Sequence, residues 1–244
     1  MISKGGRTVE KYFDVSYIWS ALPDLLPYLW ITLYIAAFSV IGGTVFGLIL
    51  AAAKLSSNKI LRLLANGYTT VIRCTPSIVL LFLIYYGIPA FSEGVFGIYL
   101  QNVSTGVFVV ITFSLQFAAM MSEVIRSSYL AIDRGQFEAA VSVGLTPFQA
   151  YRRIIFPQAF VVAIPNFGNG LISVLQEGAL AYTIGFIDIV GKANLIIANN
   201  YGTHTLEIYI ALAVIYWVLS ISIEKIFALL EKAFSKGKQS IKTT

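Results

Sequence analysis

The sequence predicts an all-α membrane protein that crosses the bilayer five times, and three observations predict it. Apolar residues make up 57% of the 244 and charged residues only 12%, against about 25% charged in ordinary soluble domains. The apolar residues gather in runs of roughly the 20 residues that a helix needs to cross hydrocarbon. The basic residues fall between those runs with a strong bias to one side, which is how orientation is written into membrane proteins. Placed this way, the net charge of +5 suits anionic headgroups and gives no reason to expect nucleic acid.

Residues 1–24 are mixed and polar, carry no cleavable signal pattern, and are expected outside the cytoplasm. A spanning domain follows over 25–232. Its first span is expected over 26–53, opened by Tyr28 and Trp30 as interfacial anchors, with Gly42, Gly43 and Gly47 suited to close helix approach. Lys54, Lys59 and Arg62 then read as a short polar connection. The second span starts near 73–76 and ends near 89, with Pro76 suited to its first turn. The loop over 91–105 has one charge, Glu93. The third span covers 106–125, where Glu123 and Arg126 stand three apart, within reach of an ion pair.

A polar, basic region precedes a fourth span over 158–175, in which Pro165, Gly168, Gly170 and Gly178 are expected to loosen the backbone. Residues 178–190 are apolar but about half a span long, so they form either a short helix or a re-entrant piece that is buried or lines a cavity. Asp188 and Lys192 are expected to pair at the interface, and His204, with no second ligand beside it, reads as a loop residue. The last span covers 206–223, and 233–244 is a solvated basic tail.

Charge decides between five spans and six. Five spans put Lys54, Lys59, Arg62, Arg73, Arg126, Arg134, Arg152, Arg153 and the C-terminal lysines on one side, and leave only Lys4, Arg7, Lys11 and Lys192 on the other. The first side is therefore cytoplasmic, with the N-terminus outside and the C-terminus inside. A sixth span would put the basic tail outside.

The region over 134–157 reads as two short helices. Residues 136–143 form a helical stretch ended by Gly144, placed where a left-handed residue is wanted. Thr146 and Pro147 then supply an N-cap and a first-turn proline for a second helix reaching Ile155. Small Ala139 and Ala140 beside the charge of Glu138 suit a compact helix docking into a partner's groove.

The spacing Glu138-Ala139-Ala140, then Gly144, then Ile154-Ile155-Phe156-Pro157 resembles the EAA loop (E-A-A-x3-G-x9-I-x-L-P) of ABC importer permeases, with Phe156 in the leucine position. The segment from Tyr68 to Pro76, Ser122-Glu123-Val124-Ile125-Arg126, and Phe156-Pro157-Gln158-Ala159 also resemble the polar amino acid branch of that family, the histidine/glutamine permease type. The resemblance implies the MetI-like fold of type I importers, with Glu138, Ala139, Ala140, Gly144 and Pro157 coupling the chain to an ATPase. It further implies an ATPase subunit dimer carrying ATP and Mg, a second permease subunit, an extracytoplasmic binding protein and a bacterial cytoplasmic membrane. Cys74 departs from the pattern by replacing a glycine, so its backbone is not expected in a glycine-only conformation.

Relatives carry K-D-T-S-L on the substrate path where Gln176-Glu177-Gly178-Ala179-Leu180 stands here. An acidic group beside a membrane segment is costly and draws attention to the same place. Gln176, Glu177, Gly178 and Ala179 are accordingly candidate path residues, with Glu177 suited to an α-ammonium. The run Ile184-Gly185-Phe186-Ile187-Asp188-Ile189-Val190-Gly191-Lys192 looks most like permeases for cystine and related sulfur amino acids, with arginine, histidine and glutamine as alternatives.

No G-x-x-x-x-G-K-[ST] phosphate loop exists in the chain, and no nucleophile elbow, metal cluster or catalytic carboxylate pair. The expectation is a transport subunit without a cofactor of its own. An ion-coupled secondary carrier, the rival reading, would need ionisable residues inside its spans and repeated halves.

Overall fold

The computed structural model describes residues 13–235, whose regular elements are all helices, with no strand among them. Helix α1 (Val15–Leu55) is followed by α2 (Lys59–Cys74), α3 (Ser77–Phe96) and α4 (Thr105–Leu130). Then come α5 (Arg134–Ser142), α6 (Pro147–Ala150), a π-turn (Tyr151–Ile155) and α7 (Phe156–Gly178). A 3-10 turn (Ala179–Ile184), α8 (Ile189–Asn199) and α9 (Thr205–Ser235) complete it. Five helical stretches are long and apolar enough to cross a membrane: Val15–Leu55, Ser77–Phe96, Thr105–Leu130, Pro147–Ile184 and Thr205–Ser235. The five expected spans are therefore present; four extend beyond the apolar runs at both ends, while the second starts at Ser77, just after its expected start, and runs on to Phe96. Residues 1–12 and 236–244 lie outside the described residues, and with them most of the expected basic tail.

Helix α1 is capped by Asp14, whose Oδ1 accepts from the Ser16 N–H at 3.0 Å, and it begins well before the expected first span. At about 1.5 Å per residue it is roughly twice as long as the hydrocarbon is thick. It runs parallel to α4, because Gly43 meets Ser114 and Phe117 while Gly47 meets Ala118 and Met121. A Cβ at Gly43 would stand 2.8 Å from the Phe117 Cβ and 2.8 Å from the Ser114 carbonyl oxygen, so only glycine allows this approach.

One apolar cluster joins α1, α3, α4 and α7 through Ile35, Leu81, Phe113, Phe117 and Val174. A second joins α1, α8 and α9 through Leu25, Ile189, Ile208 and Leu212. Trp30, Tyr86 and Trp217 are exposed on the outer surface, as side chains facing lipid should be.

Four expectations need correction. Residues 59–74 are an amphipathic helix, not a short polar connection, because Asn58 caps them and Ala65 and Thr69 pack inward. Helix α7 passes through Pro165, Gly168 and Gly170 without a break; the interruption comes only at Gly178, where the coil tightens to 3-10. The last helix continues to Ser235. Asp188 and Lys192 form no side-chain pair. Asp188 is buried as the cap of α8, while the Lys192 ammonium lies 5.2 Å from the centre of the Tyr28 ring.

Candidate functional site

A cavity of about 470 Å³ lies where the break between α2 and α3 meets α4 and α7. The break has a local cause. Pro76 cannot donate a backbone hydrogen bond and biases Thr75 away from helical geometry, so α2 stops at Cys74 and α3 starts afresh at Ser77. Arg73, Cys74 and Ser77 thereby line the cavity from the break, Gln116 from α4, and Ser173 and Glu177 from α7.

The Ser77 hydroxyl donates to Glu177 Oε2 at 2.9 Å, and Gln116 Nε2 donates to Ser77 Oγ at 2.6 Å. Of the four expected path residues, Glu177 lines the cavity. Gly178 and Ala179 follow it into the 3-10 turn, and exposed Gln176 is not part of the lining. Sequence position alone does not assign Arg73, Ser77 and Gln116 to this place. An amide in the middle of an apolar span was the available signal for Gln116.

The loop that follows α4 is built as its sequence reads. Asp133 Oδ1 caps α5 by accepting from the Gly135 N–H at 2.7 Å. At the other end Gly144 has φ of 92°, its N–H bonds the Val141 carbonyl at 2.9 Å, and the Leu145 N–H bonds the Ala140 carbonyl at 3.1 Å. This pair of bonds is the Schellman termination. Thr146 and Gln149 then cap each other reciprocally over Pro147.

Glu138, Ala139, Gly144 and Pro157 are exposed, whereas Ala140 is buried against the rest of the loop. Val143 and Phe148, 81% and 71% exposed, stand on either side of Gly144. The second loop helix reaches Ile155 through the π-turn and continues from there into α7. The wide turn lies just ahead of Pro157, whose ring would collide with the Arg153 carbonyl in a regular α-turn.

Behind the loop, Glu123 bonds Arg126 at 2.9 Å, the expected pair. It also receives the Lys54 ammonium, which further donates to Thr69 Oγ1 at 2.9 Å and Ser122 Oγ at 3.1 Å. Lys54 is buried, not part of a polar connection, and it ties the ends of α1, α2 and α4 together. Near the middle of α1, Asp188 Oδ1 accepts from the Val190 and Gly191 N–H groups, and its Oδ2 from the Thr32 hydroxyl. Burial holds this carboxyl above its ordinary titration range, against the pull of those donors. His204 stacks on Tyr17 and approaches Glu207, so it braces the start of α1 against α9. No cluster of three metal-ligating side chains occurs among the described residues.

Five apolar spans, a cavity at a broken helix and an exposed, doubly capped loop define a polytopic membrane transport protein. The family of binding-protein-dependent transport system inner membrane components matches residues 43–236, and the chain belongs to it. It is 40% identical over 235 residues to the L-cystine transport system permease protein TcyL of Bacillus subtilis (strain 168), covering 96% of this chain and 97% of that one. It is 38% identical over 224 residues to the probable amino-acid permease protein YxeN of the same organism, covering 91% and 96%. A solved amino acid ABC transporter with histidines superposes with a TM-score of 0.78 at 34% identity, over 91% of this chain and 99% of that one. An inward-facing MetNI methionine ABC transporter, at 18% identity and a TM-score of 0.63, shares the fold. The chain is thus the permease subunit of an amino acid ABC importer, a multi-pass protein of the bacterial cytoplasmic membrane that works with a binding protein and a separate ATPase subunit.

Proposed function

We propose that this permease carries L-cystine or a related sulfur amino acid, and that the cavity beside Glu177 is its substrate path. The carrying observation is the 40% identity to an L-cystine permease along nearly the whole of both chains. The cavity supports the reading through its size, since ligand pockets usually enclose about 300–1,000 Å³, and through its charges. Glu177 suits an α-ammonium, and Arg73 on the same lining supplies the carboxylate partner that the absent lysine of the family pattern would otherwise provide.

The exposed loop over 134–157 docks on the ATPase, with Val143 and Phe148 as its apolar contacts and Glu138 as its fixed charge. ATP and Mg sit on that partner. A second permease subunit completes the pathway, and closure of the ATPases draws the two docked loops together and turns access from inside to outside. The N-terminus is outside and the C-terminus inside.

The test is ATP hydrolysis in liposomes containing this chain, its ATPase and its binding protein, challenged with cystine, histidine, arginine and glutamine. Cystine is expected to stimulate several-fold, and Gly144→Asp to abolish the stimulation. That substitution places both a Cβ in the left-handed region and a charge on the docking surface. Stimulation by another amino acid alone would replace cystine. Full stimulation in the variant would remove the loop from coupling.

A further inference from the structure

We propose that Gln116 and Ser77 are positioning residues that set the cavity to read a primary ammonium group: Gln116 holds Ser77, and Ser77 holds one oxygen of Glu177, leaving the other for ligand. The proposal rests on the reading that an amino acid enters this cavity and goes beyond it by naming what makes the glutamate selective.

The hydrogen-bond directions follow from one fact. An ionised carboxylate can only accept, so Glu177 Oε2 takes the hydroxyl hydrogen of Ser77. With that hydrogen committed, Ser77 Oγ can only accept from Gln116, which must turn its amide nitrogen toward it. The Gln116 carbonyl oxygen is then left buried with no partner among the described residues. An orphaned buried acceptor is costly, and its retention calls for an explanation. Packing alone does not explain it, because an apolar side chain of similar volume would fill the place without the cost.

The relay offers the explanation. Glu177 ends α7 at the last turn before the 3-10 segment, on a long side chain that would otherwise sample several rotamers. Ser77 reaches it from the start of α3, 100 residues away in the chain, and Gln116 backs Ser77 from α4. Glu177 Oε1 makes no hydrogen bond among the described residues. The fixed carboxylate therefore presents one unsatisfied acceptor beside the cavity, and a ligand ammonium meets it without first ordering the side chain.

The experiment is calorimetric titration of the assembled permease–ATPase complex in lipid nanodiscs. Two pairs of probes differ only in the amino group: L-cystine with dithiodipropionate, and L-glutamine with glutaramate. The wild type is expected to prefer the amine-bearing partner of at least one pair by about tenfold or more, the worth of a charge-assisted hydrogen bond. Ser77→Ala and Gln116→Leu are each expected to shrink that preference to within about threefold of parity, while Ser77→Thr, which keeps the hydroxyl, retains it. A preference lost in Glu177→Gln but kept in both Ser77→Ala and Gln116→Leu overturns the relay and leaves the substrate path standing. Loss in Ser77→Thr as well as Ser77→Ala assigns the position to packing and also overturns the relay. A wild type that ignores the amino group in both pairs overturns the relay and the amino acid reading of the cavity together.

Discussion

Cys74 is the chain's one cysteine, and it is exposed on the wall of the cavity. It stands where the family resemblance has a glycine, and its backbone is that of an ordinary last helical residue, as a side chain at that place requires. A membrane-permeant thiol reagent should therefore modify the native protein at a single site. Bound amino acid should slow that modification several-fold. Labelling that no amino acid slows would put the ligand outside this cavity. Residue types announced some of the chemistry in advance: Gly144, Thr146 and Pro147 act locally, and local rules assign them. Surroundings in the chain do not reveal the roles of Lys54 and Asp188, because their partners Thr69, Ser122 and Thr32 are brought to them by other helices.

Among the elements, α2 and α4 meet the end of α1 around the Lys54 ammonium, so a charge inside the protein fastens three helices at the end of the bundle where α4 leads into the exposed loop. Removing one member of a buried ion pair typically costs about 3–5 kcal/mol because the other is stranded. Lys54→Met is therefore expected to lower the melting temperature of the purified subunit clearly. Adding Glu123→Gln should cost less than the sum of the two single changes, since the partners are coupled. Additive losses in a thermal melt would show that the pair is not coupled. The boundaries of α7 illustrate a second lesson at this scale. Proline and glycine at 165, 168 and 170 suggest a loosened span, yet neighbouring Phe227, Met120 and Phe117 pack against the glycines, and the helix stays whole. Small side chains here serve close contact, which sequence cannot separate from flexibility.

At the scale of the molecule, orientation follows from charge. The polar connections at the loop end carry the lysines and arginines, so that end is expected in the cytoplasm with the C-terminus. A fluorescent protein fused at the C-terminus should fold and fluoresce in bacterial cells, and an alkaline phosphatase fused at the same point should be inactive. The opposite pair of results would invert the protein and place its loop out of reach of any cytoplasmic ATPase.

The number of spans, the form of the exposed loop and the kinship with amino acid importers are all legible in the order of residues. Each of these rests on composition, spacing or capping, which act over a turn or a span and survive without knowledge of neighbours. Only the packed helices reveal what Glu177 faces, which partner Gln116 bonds, where Lys54 is buried and that α2 is a helix packed against α1 and α4. Those outcomes depend on contacts between residues 15 to 100 positions apart, and only the packing of helices, fixed by glycines such as Gly43 against Phe117, brings them together.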